Sequence, residues 1–261
     1  MKTLDICLRT HDDRNVHQIG DRGLTGISKQ EIIFRCARSL AAAVQQVKNV
    51  SIKLLIIDDH SKADTLEGLL EIFNGVENES FSFLGIRHLT LTGNNASMVE
   101  WYEFGRASKA DAVYLLEDDF LHEAFALEEM IWAFDDFTAK LKGSGMPASL
   151  FPYDDSDNYF PDWIEPCRVV PGQKSLWRTN TISTCSMFVT PQFINDNWEP
   201  IYRLAYNYGI IKGMSEETVF RPMWTQKTVL FTPLTMLAYH LTGKDHPVYD
   251  ERPLWESFKS T

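Results

Sequence analysis

The chain has 261 residues, 44 % hydrophobic and 12 % aromatic, which is enough to bury one sizeable core in a single large domain. Its 25 lysines and arginines stand against 36 aspartates and glutamates, a net charge of −11. That balance leaves no basic stripe to follow a phosphate backbone and argues against a nucleic-acid partner.

The opening segment MKTLDICLRTHDDR meets Asp5 and Arg9 before any apolar stretch reaches signal-peptide length, and no later run approaches a membrane span. A soluble protein is expected, with peripheral membrane contact left open. Leu4 to Leu8 is a short apolar run ending in the polar cluster Arg9 to Arg14, the pattern of a buried strand feeding a loop. Ser28 with Glu31 three residues on makes a capping box, after which Ile33, Cys36, Ala37, Leu40, Val44 and Val47 recur at helical spacing. Ile52 to Ile57 is a second β-branched run, stopped by Asp58, Asp59, His60 and Ser61, and Ala63 to Phe73 is helical again.

Phe81 to Leu91 supplies a third strand, Gly93, Asn94 and Asn95 break it, Met98 to Ala107 resumes a helix, and Ala112 to Leu116 makes a fourth strand. This alternation predicts an α/β fold with a largely parallel sheet and helices on both faces. Leu121 to Leu141 reads as one helix, ended by Gly143, Ser144, Gly145 and Pro147. From about residue 150 the chain is rich in Pro, Asp and aromatics, as an ordered functional loop is, and the β/α rhythm becomes irregular. The cysteines Cys7, Cys36, Cys167 and Cys185 form no CxxC pair and no dense framework, so they read as reduced thiols of a cytoplasmic protein.

Three acidic clusters follow or lie near element ends: Asp58 and Asp59, then Glu117, Asp118 and Asp119, then Glu216 and Glu217. Ligands of open α/β sheets bind outside the carboxyl ends of the strands, so the first two clusters are expected to share a crevice. Carboxylates held side by side need a positive partner, and a hard divalent cation, Mn²⁺ or Mg²⁺ carrying a pyrophosphate, suits them. Helix capping by the same acids is an equally simple account of Glu117 to Asp119 taken alone, and of Asp58 and Asp59 in part.

In the order and spacing of these motifs, residues 3 to 140 resemble family 2 inverting glycosyltransferases and their GT-A relatives. Thr10 closes LDICLRT as the Thr that contacts the base does in that family, and Asp58, Asp59, His60 and Ser61 match its Asp-Asp-x-Ser pattern. Asn94 and Asn95, the helix through Gly105 and YLLEDDF at 114–120 match the Asn-rich turn, helix and metal-motif strand. The triplet Glu117, Asp118, Asp119 is also similar to the metal motif of N-acetylglucosaminyltransferase I. The resemblance implies a GT-A (Rossmann-like) fold with a mixed, largely parallel central sheet and a more irregular C-terminal acceptor-side region. Within 1–261 as one domain, 1–145 would bind the nucleotide-sugar and 146–261 the acceptor.

By the same resemblance Asp119 holds the metal, Asp118 and Glu117 face the ribose and sugar, Asp59 holds the nucleobase, and Thr10, Asp58, Asn94 and Asn95 line the donor site. One departure is the position of Arg14, four residues after Thr10 where many relatives have three, with Asp12 and Asp13 between. An inverting transferase needs a base for the acceptor hydroxyl. Family 2 relatives often carry it in an acidic pair, here Glu217 first and Glu216 second, although Ser215 with two following glutamates also suits helix capping alone. His240, after the apolar run Leu234 to Tyr239, is the candidate for the histidine that some GT-A enzymes add to the metal shell, ahead of His246. A lone histidine there is more often structural.

Trp163, Trp177, Trp198, Trp224, Tyr153 and Tyr159 offer flat faces to an acceptor sugar or fill the core. The 150–180 region and the tail with Lys244, Arg252 and Trp255 are placed to close over substrate. The reading is a metal-dependent hexosyl- or N-acetylhexosaminyl-transferase that moves a sugar, from a UDP-sugar first, to a glycan, lipid-linked or other hydroxyl acceptor. A retaining transferase and a non-catalytic sugar- or nucleotide-binding module stand as alternatives. A nucleotidyltransferase would need a Gly-rich loop after the first strand, where RTHDDRN has no glycine, and a two-metal hydrolase would need clustered histidines.

Overall fold

The computed structural model describes residues 1–12, 27–154, 166–181, 186–241 and 252–259. Arg14, Asp13, Tyr159, Trp163, Cys185, Lys244 and His246 lie outside the described residues.

The first half alternates strand and helix: β1 (Thr3–Thr10), α1 (Lys29–Gln46), β2 (Ser51–Asp58), α2 (Ala63–Asn74), β3 (Phe81–His88), α3 (Asn94–Ala107) and β4 (Ala112–Glu117). β1, β2 and β4 are near-continuous apolar runs because they lie inside a parallel sheet covered on both faces. Ser28 starts α1, its Oγ accepting the Glu31 N–H at 3.1 Å, while the Glu31 carboxylate turns to Arg35 Nε at 2.7 Å. The parallel run is ordered β3-β2-β1-β4. The chain steps outward from β1 to β3 and then returns to the other side of β1. With right-handed crossovers, α1 and α2 cover one face and α3 the other, and a crevice opens between the carboxyl ends of β1 and β4.

The second half contains β5 (Phe120–His122), α4 (Ala126–Leu141), β6 (Ala148–Leu150), β7 (Val169–Pro171), β8 (Leu176–Asn180) and β9 (Met187–Val189). It continues with α5 (Pro191–Asp196), α6 (Trp198–Asn207), α7 (Glu216–Gln226), β10 (Val229–Pro233), β11 (Ala238–His240) and α8 (Arg252–Ser257). The nine-stranded sheet runs β3-β2-β1-β4-β9-β6-β10-β8-β7. From the pairings, only β8 and β9 oppose the direction of the other seven, so the sheet is mixed and largely parallel as the sequence implies. One apolar core draws on both halves, from Leu4 on β1 to Ala238 on β11. Cys7 and Cys36 are buried thiols and Cys167 is exposed. No described helix is long and apolar enough to cross a membrane.

The strands after residue 146 that join the sheet are only three to five residues long, in keeping with the more irregular second half that the sequence implies. One expectation is corrected. The helix read from Leu121 begins at Ala126, and Phe120–His122 is a strand paired antiparallel with β11, His240 opposite Phe120. Three consecutive buried residues carry no periodicity that separates strand from helix. Tertiary contacts decide: the His122 N–H donates to Ser39 Oγ of α1 at 2.9 Å.

His122 is fully buried, its Nε2 2.9 Å from the Tyr114 hydroxyl, and burial pushes its imidazole pKa down to about 4 from 6.5. The folded protein therefore holds a neutral ring that the unfolded chain protonates more readily. The stability tied to that ring is intact above about pH 6.5 and is lost as pH falls towards 4. Between pH 7 and 4.5 the loss from this group is expected to be roughly 2–3 kcal/mol. Urea unfolding at both pH values should show that His122→Gln flattens the pH dependence by that amount.

Candidate functional site

The crevice between β1 and β4 is a cavity of about 530 Å³. Its floor is made by strand ends, because parallel register sets Arg9 opposite Glu117 and Thr10 opposite Asp58. Thr10, Asp59, Glu117, Asp118 and Asp119 line it, with Gly93, Asn94 and Ser97 from the start of α3, Lys29 from α1, and Tyr208, Glu216 and His240 from the second half.

The acids divide by the direction of their strand ends. Asp59 faces the cavity and accepts the Gly93 N–H at 2.8 Å; Gly93 has φ of 105°, a backbone that favours glycine and aims that N–H at the carboxylate. Asp58, its neighbour, turns away: it is fully buried, accepts the Ser61 N–H at 3.0 Å and meets His88 Nδ1 at 3.0 Å. Asn94 lines the cavity, while the Asn95 side-chain amide donates to the Tyr206 and Tyr208 carbonyls at 3.0 and 3.1 Å, so it ties down the segment that brings Tyr208 to the rim.

Glu117 and Asp118 each meet a cation. Arg9 pairs with Glu117, donates to Asn94 Oδ1 at 2.7 Å and Ser97 Oγ at 3.3 Å, and lies 5.0 Å from the Trp101 ring centre. Burial alone would lower the pKa of its guanidinium, but the Glu117 carboxylate, with smaller help from Glu216 and Tyr102, outweighs that, and the net shift is upward. Asp118 accepts from Thr10 Oγ1 at 2.9 Å, from the His11 N–H at 3.0 Å and from Lys29 Nζ at 2.5 Å.

Asp119 lies on the other side, its Oδ2 3.5 Å from His240 Nε2. His240 is set by the β5–β11 pairing, with its ring stacked on Phe120 at 4.8 Å and the Tyr153 hydroxyl 3.4 Å from Nδ1. One atom each from Glu117, Asp119 and His240 lies within 4.8 Å of the others. Two carboxylate oxygens from the β4–β5 junction and an imidazole nitrogen from β11 form a donor set suited to Mn²⁺, and to Mg²⁺ less well because of the nitrogen.

The acidic pair at α7 is split. Glu216 is buried against the cavity and its charge acts on Arg9, whereas Glu217 sits on the flank of the helix, 3.9 Å from Arg221. Capping is done by other groups: Ser215 Oγ accepts the Thr218 N–H at 3.3 Å and Thr218 Oγ1 accepts the Ser215 N–H at 2.9 Å. Trp177 and Trp224 belong to the core, and Trp255 is buried under the Arg35 guanidinium at 3.9 Å. Sequence reasoning missed Arg9, Lys29, Ser97 and Tyr208. A signal existed for two of them: Arg9 interrupts an apolar strand, and Lys29 sits in the first turn of a helix, where the dipole disfavours a cation.

No protein-family model matches the sequence, and no curated protein matches it. Among solved structures, TarS from S. aureus superposes with a TM-score of 0.51 at 13 % identity, over 93 % of this chain and 37 % of that one. Its 1–349 fragment gives 0.50 at 12 % identity, over 92 % and 60 %, and the same fragment in complex with UDP-GlcNAc gives 0.49 at 11 %, over 94 % and 60 %. The chain thus spans less than two thirds of the length of these proteins, and it shares their GT-A-like fold, a mixed, largely parallel sheet with helices on both faces.

Arg9→Met removes the counter-charge of a largely buried Glu117 and two further hydrogen bonds, and urea denaturation should show a loss of about 3 kcal/mol. Arg9→Lys should recover only part of it, because an ammonium cannot hold three acceptors with the geometry of a guanidinium fork.

Proposed function

We propose that the chain is a metal-dependent glycosyltransferase that moves a hexosyl or N-acetylhexosaminyl group from a UDP-sugar to a hydroxyl of a glycan, a lipid-linked acceptor or another alcohol, with inversion. The observation that carries this is the convergence of Asp59, Glu117, Asp118, Asp119 and His240 on one cavity at the switch point of a GT-A-like sheet.

In this reading 1–145 supplies the donor side and 146–261 the acceptor side. Asp59 and Thr10 hold the nucleoside, with Asn94 beside them. Asp58 and Asn95 act at one remove, by fixing the turn after β2 and the Tyr208 segment. Asp118 and Glu117 order donor hydroxyls, and Asp119 with His240 holds Mn²⁺ or Mg²⁺, a set that the geometry extends to Glu117. Bound there, the cation would neutralise charge developing on the leaving diphosphate.

Glu216 takes precedence over Glu217 as the base because it is the member of the pair that lines the cavity. Its carboxylate accepts the proton of the acceptor hydroxyl as that oxygen attacks the anomeric carbon. The bond from that carbon to the diphosphate oxygen breaks in the same displacement, and no covalent intermediate forms.

A panel of UDP-sugars with Mn²⁺ and candidate acceptors, followed by UDP release, tests this. Glu216→Gln is expected to lower kcat by about 10²- to 10⁴-fold with little change in UDP affinity, while Glu217→Gln stays near wild type. The opposite ranking would remove Glu216 from the chemistry. NMR of the product should show a β-linkage from an α-linked donor, and retention of the anomeric configuration would overturn the single-displacement scheme.

A further inference from the structure

Lys29 occupies a position that two physical costs argue against. It is the first residue of α1, at the positive end of the helix dipole, and its side chain is only 10 % exposed, so the ammonium has lost most of its hydration. The Asp118 carboxylate at 2.5 Å compensates both. Burial by itself would lower the pKa of the amine, but the carboxylates of Asp118 and Asp119 lift it above its ordinary value, so the group stays charged throughout the neutral range.

This charge stands beside the only cluster of potential metal ligands among the described residues, Glu117, Asp119 and His240. Among the described residues, the cavity is lined by five carboxylates, Asp59, Glu117, Asp118, Asp119 and Glu216, against two fixed cations, Arg9 and Lys29. A divalent cation that enters alone is attracted by the acids and repelled by the ammonium that already serves them. Arg9 adds to the repulsion but is bound to Glu117, Asn94 and Ser97 at once, whereas Lys29 reaches the cavity on an unbranched chain.

Resting on the glycosyltransferase reading above, we propose that Lys29 is a resident counter-ion of the acidic triplet: it keeps the cation site weak in the nucleotide-free protein, so the divalent metal loads together with the nucleoside diphosphate and not before it. The diphosphate supplies the negative charge that offsets the ammonium, which then acts as a second cation for the phosphates.

The test is calorimetric titration of Mn²⁺ into nucleotide-free wild type, Lys29→Met and Lys29→Arg, repeated with saturating UDP. Nucleotide-free Lys29→Met should bind Mn²⁺ roughly tenfold tighter than wild type or more, Lys29→Arg should stay as weak as wild type, and the gain from UDP should shrink in Lys29→Met. Lys29→Gln serves in its place if the methionine variant fails to fold. A purely structural lysine would give variants with unchanged or weaker Mn²⁺ binding. Mn²⁺ binding to wild type with UDP, combined with that result, would overturn this inference alone. Absence of Mn²⁺ binding to wild type even with UDP would overturn both the inference and the metal-dependent reading on which it rests.

Discussion

Carboxylates crowded at the ends of parallel strands repel one another, and much of the architecture around the cavity answers that repulsion. Glu117 is met by Arg9, Asp118 by Lys29, Thr10 and the His11 amide, and Asp59 by the Gly93 amide. Asp119 faces an imidazole. These partners come from β1, α1, the start of α3 and β11, so the acids cannot be held in one place unless those elements are first packed around them. Local interactions would not bring such groups together; burial of the shared core drives that assembly.

Topology then decides which acids face the cavity. The strand order β3-β2-β1-β4 opens a crevice on either side of which α1 and α3 begin, and each contributes a polar group from its first turns. The small β5–β11 pair is a second device: by setting His240 opposite Phe120 it brings a histidine from far along the chain beside Asp119. With a loop of about 120 residues to close, such a contact is legible only after folding.

The first half of the fold could be read closely from the sequence. Interior parallel strands are uninterrupted apolar runs, and the Ser28 cap and the Gly93 break lie where the physics of helix ends requires. The second half resisted because β5, β6 and β9 are three residues long and wholly buried, which erases periodicity and lets Phe120–His122 pass for the start of a helix. At the site, acidic residues were visible as clusters but not as individuals. Adjacent residues point in different directions, so Asp58 and Asp59, or Glu216 and Glu217, could be separated only by coordinates. Lys29 and Arg9 make no basic patch that a sequence displays, because each is a single charge buried against its own carboxylate.

The central claim is that this acidic cleft binds a nucleoside diphosphate through a divalent cation. Calorimetric titration with UDP, GDP and dTDP, each with and without Mn²⁺, on wild type and Asp119→Ala, tests it most directly. The account predicts Mn²⁺-dependent binding of one diphosphate, UDP first, that disappears in Asp119→Ala. Failure of all three nucleotides to bind wild type at millimolar concentration, with Mn²⁺ present, would contradict it.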